Sequence, residues 1–147
     1  MIRIKATLLL LTMLVSGLVL AGPGPIEQRQ NMMEDTRDAA KVIGGMIKQE
    51  RDFDADEAMQ ALMVWQKTAT EVGELFPDGS AVGHDTEAKV TIWSDREGFD
   101  DKLAEFSSTV EAAIAAKPDS LDALKAAAGP VFKTCKGCHE GYRVEKD

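Results

Sequence analysis

From Arg29 to Ile47, apolar and small residues recur at steps of three and four. Arg29, Met33, Thr36, Ala40, Ile43 and Ile47 share one stripe, with polar residues between them. That is the period of an amphipathic helix. Gly44 and Gly45 weaken it locally, and the charged run Lys48 to Asp52 ends it. A second stripe, Ala58, Ala61, Leu62, Trp65, Ala69 and Val72, opens at Asp54 with Glu57 three residues on, the spacing of a capping box. The turn chemistry of Phe76 to Ser80 stops it. The third, Phe99, Leu103, Phe106, Val110 and Ile114, is expected to be capped by Ser94 with Glu97 reaching back. The fourth carries Leu121, Leu124, Ala128, Val131, Cys135, Cys138 and Tyr142, with Asp119 or Ser120 as its cap. Pro130 lies inside this last stripe, and proline there predicts a kink or a short break. Strand-like alternation is absent. Four such stripes predict an all-α fold, an antiparallel up-down-up-down four-helix bundle. The long connection over residues 76–93 is of a length that usually carries function or crosses the bundle.

The N-terminus follows a different rule. Arg3 and Lys5 precede an apolar run from Ala6 to Leu20, and Val19-Leu20-Ala21 ends in the small residue a signal peptidase reads. The run is short for a membrane span of about 20 residues. A cleaved signal peptide over 1–21 is therefore expected, leaving a single domain, 22–147, with no stable membrane insertion. Loss of Arg3 and Lys5 moves the formal charge from −8 to −10. Such an acidic chain is a poor partner for nucleic acid or anionic membrane. Export to the periplasm places its thiols in an oxidising compartment.

There are two cysteines, Cys135 and Cys138, and one of the two histidines, His139, directly follows them. A disulfide between residues three apart closes too small a loop to stabilise much and leaves the histidine unexplained. A structural zinc site needs four ligands, and only His84 remains to add. A thioredoxin-type pair belongs in a βαβ context. Cys-x-x-Cys-His is instead the attachment pattern of c-type haem, two thiols for thioethers and an imidazole for iron. On a helix Cys135 and His139 fall on one face with Cys138 beside them. One covalently held haem c per chain is expected, near the C-terminal end of the last helix. His84, in the long connection among Gly and Asp, is expected at the surface. Trp65, Trp93, Phe99 and Phe106 are expected in the core rather than on the cofactor.

The terminal Cys-Lys-Gly-Cys-His followed by Gly-Tyr-Arg, together with "IWSDREGFDDKLAEF", "DSLDALKAAAG" and "RQNMM" upstream, resembles the class II c-type cytochromes. These are the cytochrome c′ family and its low-spin, methionine-ligated branch. Pro130 and Phe132 depart from the usual last helix. The resemblance implies that the residue four after the arginine of the first helix, here Met33 after Arg29, decides the iron's sixth position. Helix geometry agrees: Met33 lies about 10 Å into the first helix and His139 about 12 Å before the C-terminus, so both reach similar depth. Met32 as ligand, or no methionine at all, stays open, because methionine is also an ordinary core filler. The resemblance also implies that Arg29 contacts a haem propionate, and Arg143 is a second candidate for that contact. With His139 and Met33 as axial ligands the chain is expected to be a periplasmic single-electron carrier and not an enzyme. The alternative is a five-coordinate, high-spin protein binding nitric oxide or carbon monoxide. Lys133, Lys136, Arg143 and Lys146 surround the motif, which suits docking of acidic redox protein partners. Either a monomer or a homodimer is compatible with the sequence.

Overall fold

A computed structural model describes residues 22–145; the expected leader, 1–21, and Lys146 and Asp147 lie outside them. The helices are α1 (Pro25–Ile47), α2 (Ala55–Glu71), a single-turn α3 (Thr91–Ser94), α4 (Arg96–Ala115) and α5 (Leu121–Tyr142). A 3-10 turn, Val72–Leu75, prolongs α2. Neighbours in sequence are neighbours in space. α1 packs on α2, α2 on α4 and α4 on α5, while α1 and α5 close the ring with the slightest contact of the four. This is the four-helix bundle that the periodicity predicts. Among the described residues the only strand-like pairing is one antiparallel bridge between Ala88 and Arg143.

Local chemistry sets the helix ends. Pro25 occupies the first turn of α1, where a missing N–H removes no helical bond. Gln49 turns left-handed at φ +60°, with Gln49 N–H bonded to Met46 O at 3.0 Å and Glu50 N–H to Gly45 O at 2.9 Å. That Schellman arrangement satisfies the last carbonyls of α1. Asp54 caps α2 by accepting from Glu57 N–H at 2.8 Å, but the Glu57 carboxylate turns to Arg51 at 2.6 Å instead of reaching back. Ser120 caps α5 through Ala123 N–H.

Two sequence expectations need correction. Asp95, not Ser94, caps α4 and accepts from Gly98 N–H at 3.3 Å. Ser94 already belongs to the turn of α3, so the non-helical residue between the helices falls one position later. Of the kink or short break expected at Pro130, the break is absent: α5 runs continuously through it. Gly129 has no Cβ to clash with the proline ring, so the pre-proline residue stays helical. Pro130 itself faces solvent, while Ala128 and Val131 are buried on either side and hold the helix to the core.

The apolar faces form two clusters. The larger unites Ile43, Met46, Leu62, Trp65, Val110 and Leu124, all buried, at one end of the bundle. The smaller has Val72, Phe76, Ile92 and Phe99 at its centre, with Met33 and Tyr142 packed against it.

Candidate functional site

The last two turns of α5 carry Cys135, Cys138 and His139, all half-buried. Burial pushes the Cys135 thiol up to about 11 and also raises Cys138. Burial, assisted by the nearby Arg143 cation, lowers His139, with Glu87 opposing. These shifts favour neutral thiols and the neutral imidazole, the form that can ligate a metal. Among the described residues no group of three His, Cys, Asp or Glu is arranged to hold a metal ion.

These three residues line a cavity of about 530 Å³ that also takes in Met33 from α1. Its lining includes residues of both α1 and α5, the neighbouring helices with the slightest mutual contact. Its volume lies within the roughly 300–1,000 Å³ of cofactor clefts, and its wall is largely apolar. Trp65, Phe99 and Phe132 form part of that wall. Trp65 and Phe99 are core residues as expected, yet they also face the cavity, so the two roles are not exclusive. Phe106 is buried in the larger cluster, and Trp93 packs edge-on to Phe76. Trp65 meets Phe132 edge-to-face at 5.3 Å and donates Nε1–H to Thr36 O at 3.1 Å. Met32, next to Met33, lines a different groove, between α1 and α2.

Arg29 is 4% exposed and lines the same cavity. Its Nη1 donates to Leu75 O at 3.1 Å and Ser80 Oγ at 3.0 Å, and its Nη2 to Ser80 O at 2.7 Å and Thr86 Oγ1 at 2.8 Å. The guanidinium sits over the Phe76 ring, 4.8 Å from its centroid. Four of its five donors are therefore used within the protein, which leaves Nε–H for any propionate. Burial lowers its pKa from the ordinary arginine value. Arg143 is exposed at the rim, and its N–H bonds His139 O at 3.0 Å. His84 is exposed at φ +49°.

The cytochrome C′ family model matches residues 24–143, nearly all of the described chain. The chain belongs to the cytochrome c′ family. It is 34% identical to the cytochrome c′ of Rhodopseudomonas palustris over 141 residues, 96% of each chain. It is 31% identical to cytochrome c-556 of the same organism, over 88% of this chain and 89% of the relative. The solved structure of cytochrome c′ from Rhodopseudomonas palustris superposes with a TM-score of 0.81 at 32% identity, covering 86% of this chain and all of the other.

As a member of the cytochrome c′ family the chain has haem c as its cofactor, and the cavity chemistry fits it. A largely apolar cleft has two thiols and an imidazole on one wall, with Arg29 and Arg143 also lining it. The sequence does not reveal what fastens this end of the bundle. Residues 76–90 form a strap tied to α1 through Arg29 and to the end of α5 through Lys89 N–H to Tyr142 O (2.9 Å) and Val144 N–H to Glu87 O (2.7 Å). Tyr142 donates its hydroxyl to Asp95 Oδ2 at 2.8 Å, so the α4 cap also anchors α5. A Cβ on Gly98 would lie 2.5 Å from that oxygen and 2.7 Å from the tyrosine hydroxyl, so a side chain there would push this hydrogen-bonded pair aside. The only sequence signals for these ties were the long connection and the Ser-Asp-Arg-Glu segment.

Proposed function

We propose that the chain is a periplasmic monohaem c-type cytochrome that carries single electrons. In this reading Cys135 and Cys138 hold the cofactor through thioethers, and His139 and Met33 are the axial ligands. The observation that carries it is the position of Met33: it lines the cavity shared with His139, and Met32 does not. When bound, haem supplies one-electron chemistry, and histidine–methionine ligation raises its potential. The chain's own residues do the rest. The largely apolar wall disfavours water, Arg143 offers a cation at the rim and Arg29 a buried one with Nε–H to spare, and no substrate is transformed. Lys133 and Lys136 are exposed beside the motif, although Lys136 is 3.6 Å from Glu140. They favour encounter with an acidic redox partner. Export follows from the leader expected at 1–21, and no helix among the described residues is long and apolar enough to cross a membrane.

The competing role, gas binding at a five-coordinate iron, has the cytochrome c′ relatives in its favour. Spectroscopy separates the two. The ferric protein should be low-spin and bind carbon monoxide weakly. Met33→Leu keeps an apolar side chain of similar size and should fold. It should be high-spin, bind carbon monoxide readily and have a lower reduction potential. Met32→Leu is the control and should alter none of these. A high-spin native protein would sink the carrier reading in favour of the gas binder.

A further inference from the structure

The geometry points to Ser80 and Thr86 as positioning residues: acting through Arg29, they hold the α1 wall of the cavity at its spacing from the α5 wall. This inference rests on the carrier reading for its spectroscopic consequence but not for its mechanics. Direct contact between α1 and α5 is slight, so the strap is a principal link between them at this end. One end of it is held by the Arg29 bonds to Ser80 and Thr86 and by Gln30 Nε2 donating to His84 O at 2.9 Å. The other is held by the bridge at Ala88 and Arg143 and by Lys89 Nζ donating to Glu140 O at 2.9 Å. Arg29 lies one turn before Met33, and Glu140 directly follows His139. Each tie thus falls within a turn of a proposed axial ligand.

Neither Ser80 nor Thr86 lines the cavity, so neither is part of the binding wall. Between them the backbone is left-handed at Gly83, His84 and Asp85, with φ of +109°, +49° and +50°. Histidine and aspartate tolerate that region at some energetic cost. The reversal lets Ser80 and Thr86 reach one guanidinium through its two terminal nitrogens. Ser80 Oγ also donates to Pro77 O at 2.8 Å, which fixes the hydroxyl as an acceptor for Arg29. Loss of both hydroxyls leaves two donors of a buried cation unpaired, and an unpaired buried donor is costly. The strap's hold on α1 then falls to Arg29 with Ser80 O and Gln30 with His84 O, and the α1 wall that carries Met33 is held less firmly at its spacing.

The test uses the holoprotein carrying Ser80→Ala and Thr86→Val, with Thr86→Val alone in case the double variant folds poorly. The ferric spectrum should gain a high-spin component. Carbon monoxide affinity should rise about tenfold, in proportion to the fraction of protein with an open sixth position. Amide exchange at Lys89 and Val144 should quicken while the α2 and α4 core amides keep their rates. Thr86→Ser retains the hydroxyl and should behave as wild type. In a Met33→Leu background there is no thioether to displace, and Ser80→Ala with Thr86→Val should still speed carbon monoxide association. A native high-spin spectrum would end the methionine reading, and that association rate would then judge the strap by itself. Unchanged spectra and rates overturn the inference. So does a uniform rise in exchange across the core, which would mean the hydroxyls serve only general stability.

Discussion

Tyr142 shows how much one side chain does at the haem end. Its ring meets Phe99 edge-on at 5.3 Å, and its hydroxyl is spent on Asp95, the cap of α4. That hydrogen bond, more than partial desolvation or the carboxylate's charge, raises its pKa from 10.0 to about 12. The folded value is raised, so the latch contributes in full below the ordinary value and is lost as pH climbs through about 12. It is the only tyrosine in the chain, so its ionisation can be followed directly. The phenolate absorbance at alkaline pH should appear about two units later than in a free tyrosine. Asp95→Asn should bring the midpoint back toward the ordinary value. A native midpoint near 10 would mean that the contact does not persist in solution.

Among the elements, α5 runs on through a proline expected to kink or briefly break it. The ring still removes one backbone donor, and the helix is held by what it packs against on either side. Pro130 is exposed, so replacing it disturbs no buried contact. Pro130→Ala should therefore raise the thermal stability of the holoprotein by about 1–3 kcal/mol, as expected when a helix-interior proline is removed. A loss of stability would show that the bundle relies on a bend at this position. Yields of holoprotein should be unchanged.

For the molecule as a whole, the cavity and the fold cannot be separated. The cleft of about 530 Å³ is open to solvent and largely apolar, so without the cofactor its walls must hold water against apolar surface or close in. The haem-free Cys135→Ala, Cys138→Ala variant should keep its helical signal but unfold over a broadened transition. Trp65, buried in the cavity wall, should become fluorescent and partly solvent-quenched. A sharp transition at the holoprotein's midpoint would show that the bundle does not need its cofactor.

Much of this protein was legible in the order of its residues. The periods of three and four in the apolar positions specify four helices, because a helix must bury one stripe. The run Cys135, Cys138, His139 names its cofactor, because few chemistries need those groups on one helical turn. Asp54 and Ser120 act as caps within their own neighbourhoods, so local rules suffice for them. Ser94 misled because a local rule cannot tell that the preceding residues already form a turn. What tertiary structure decided is which distant groups meet. Arg29 finds Ser80 and Thr86 more than fifty residues away, Tyr142 finds Asp95, and Met33 rather than Met32 turns to the cavity. Periodicity places a residue on a face of its own helix. It carries no information about what stands opposite, since that depends on how all four helices pack and where the strap between them is tied.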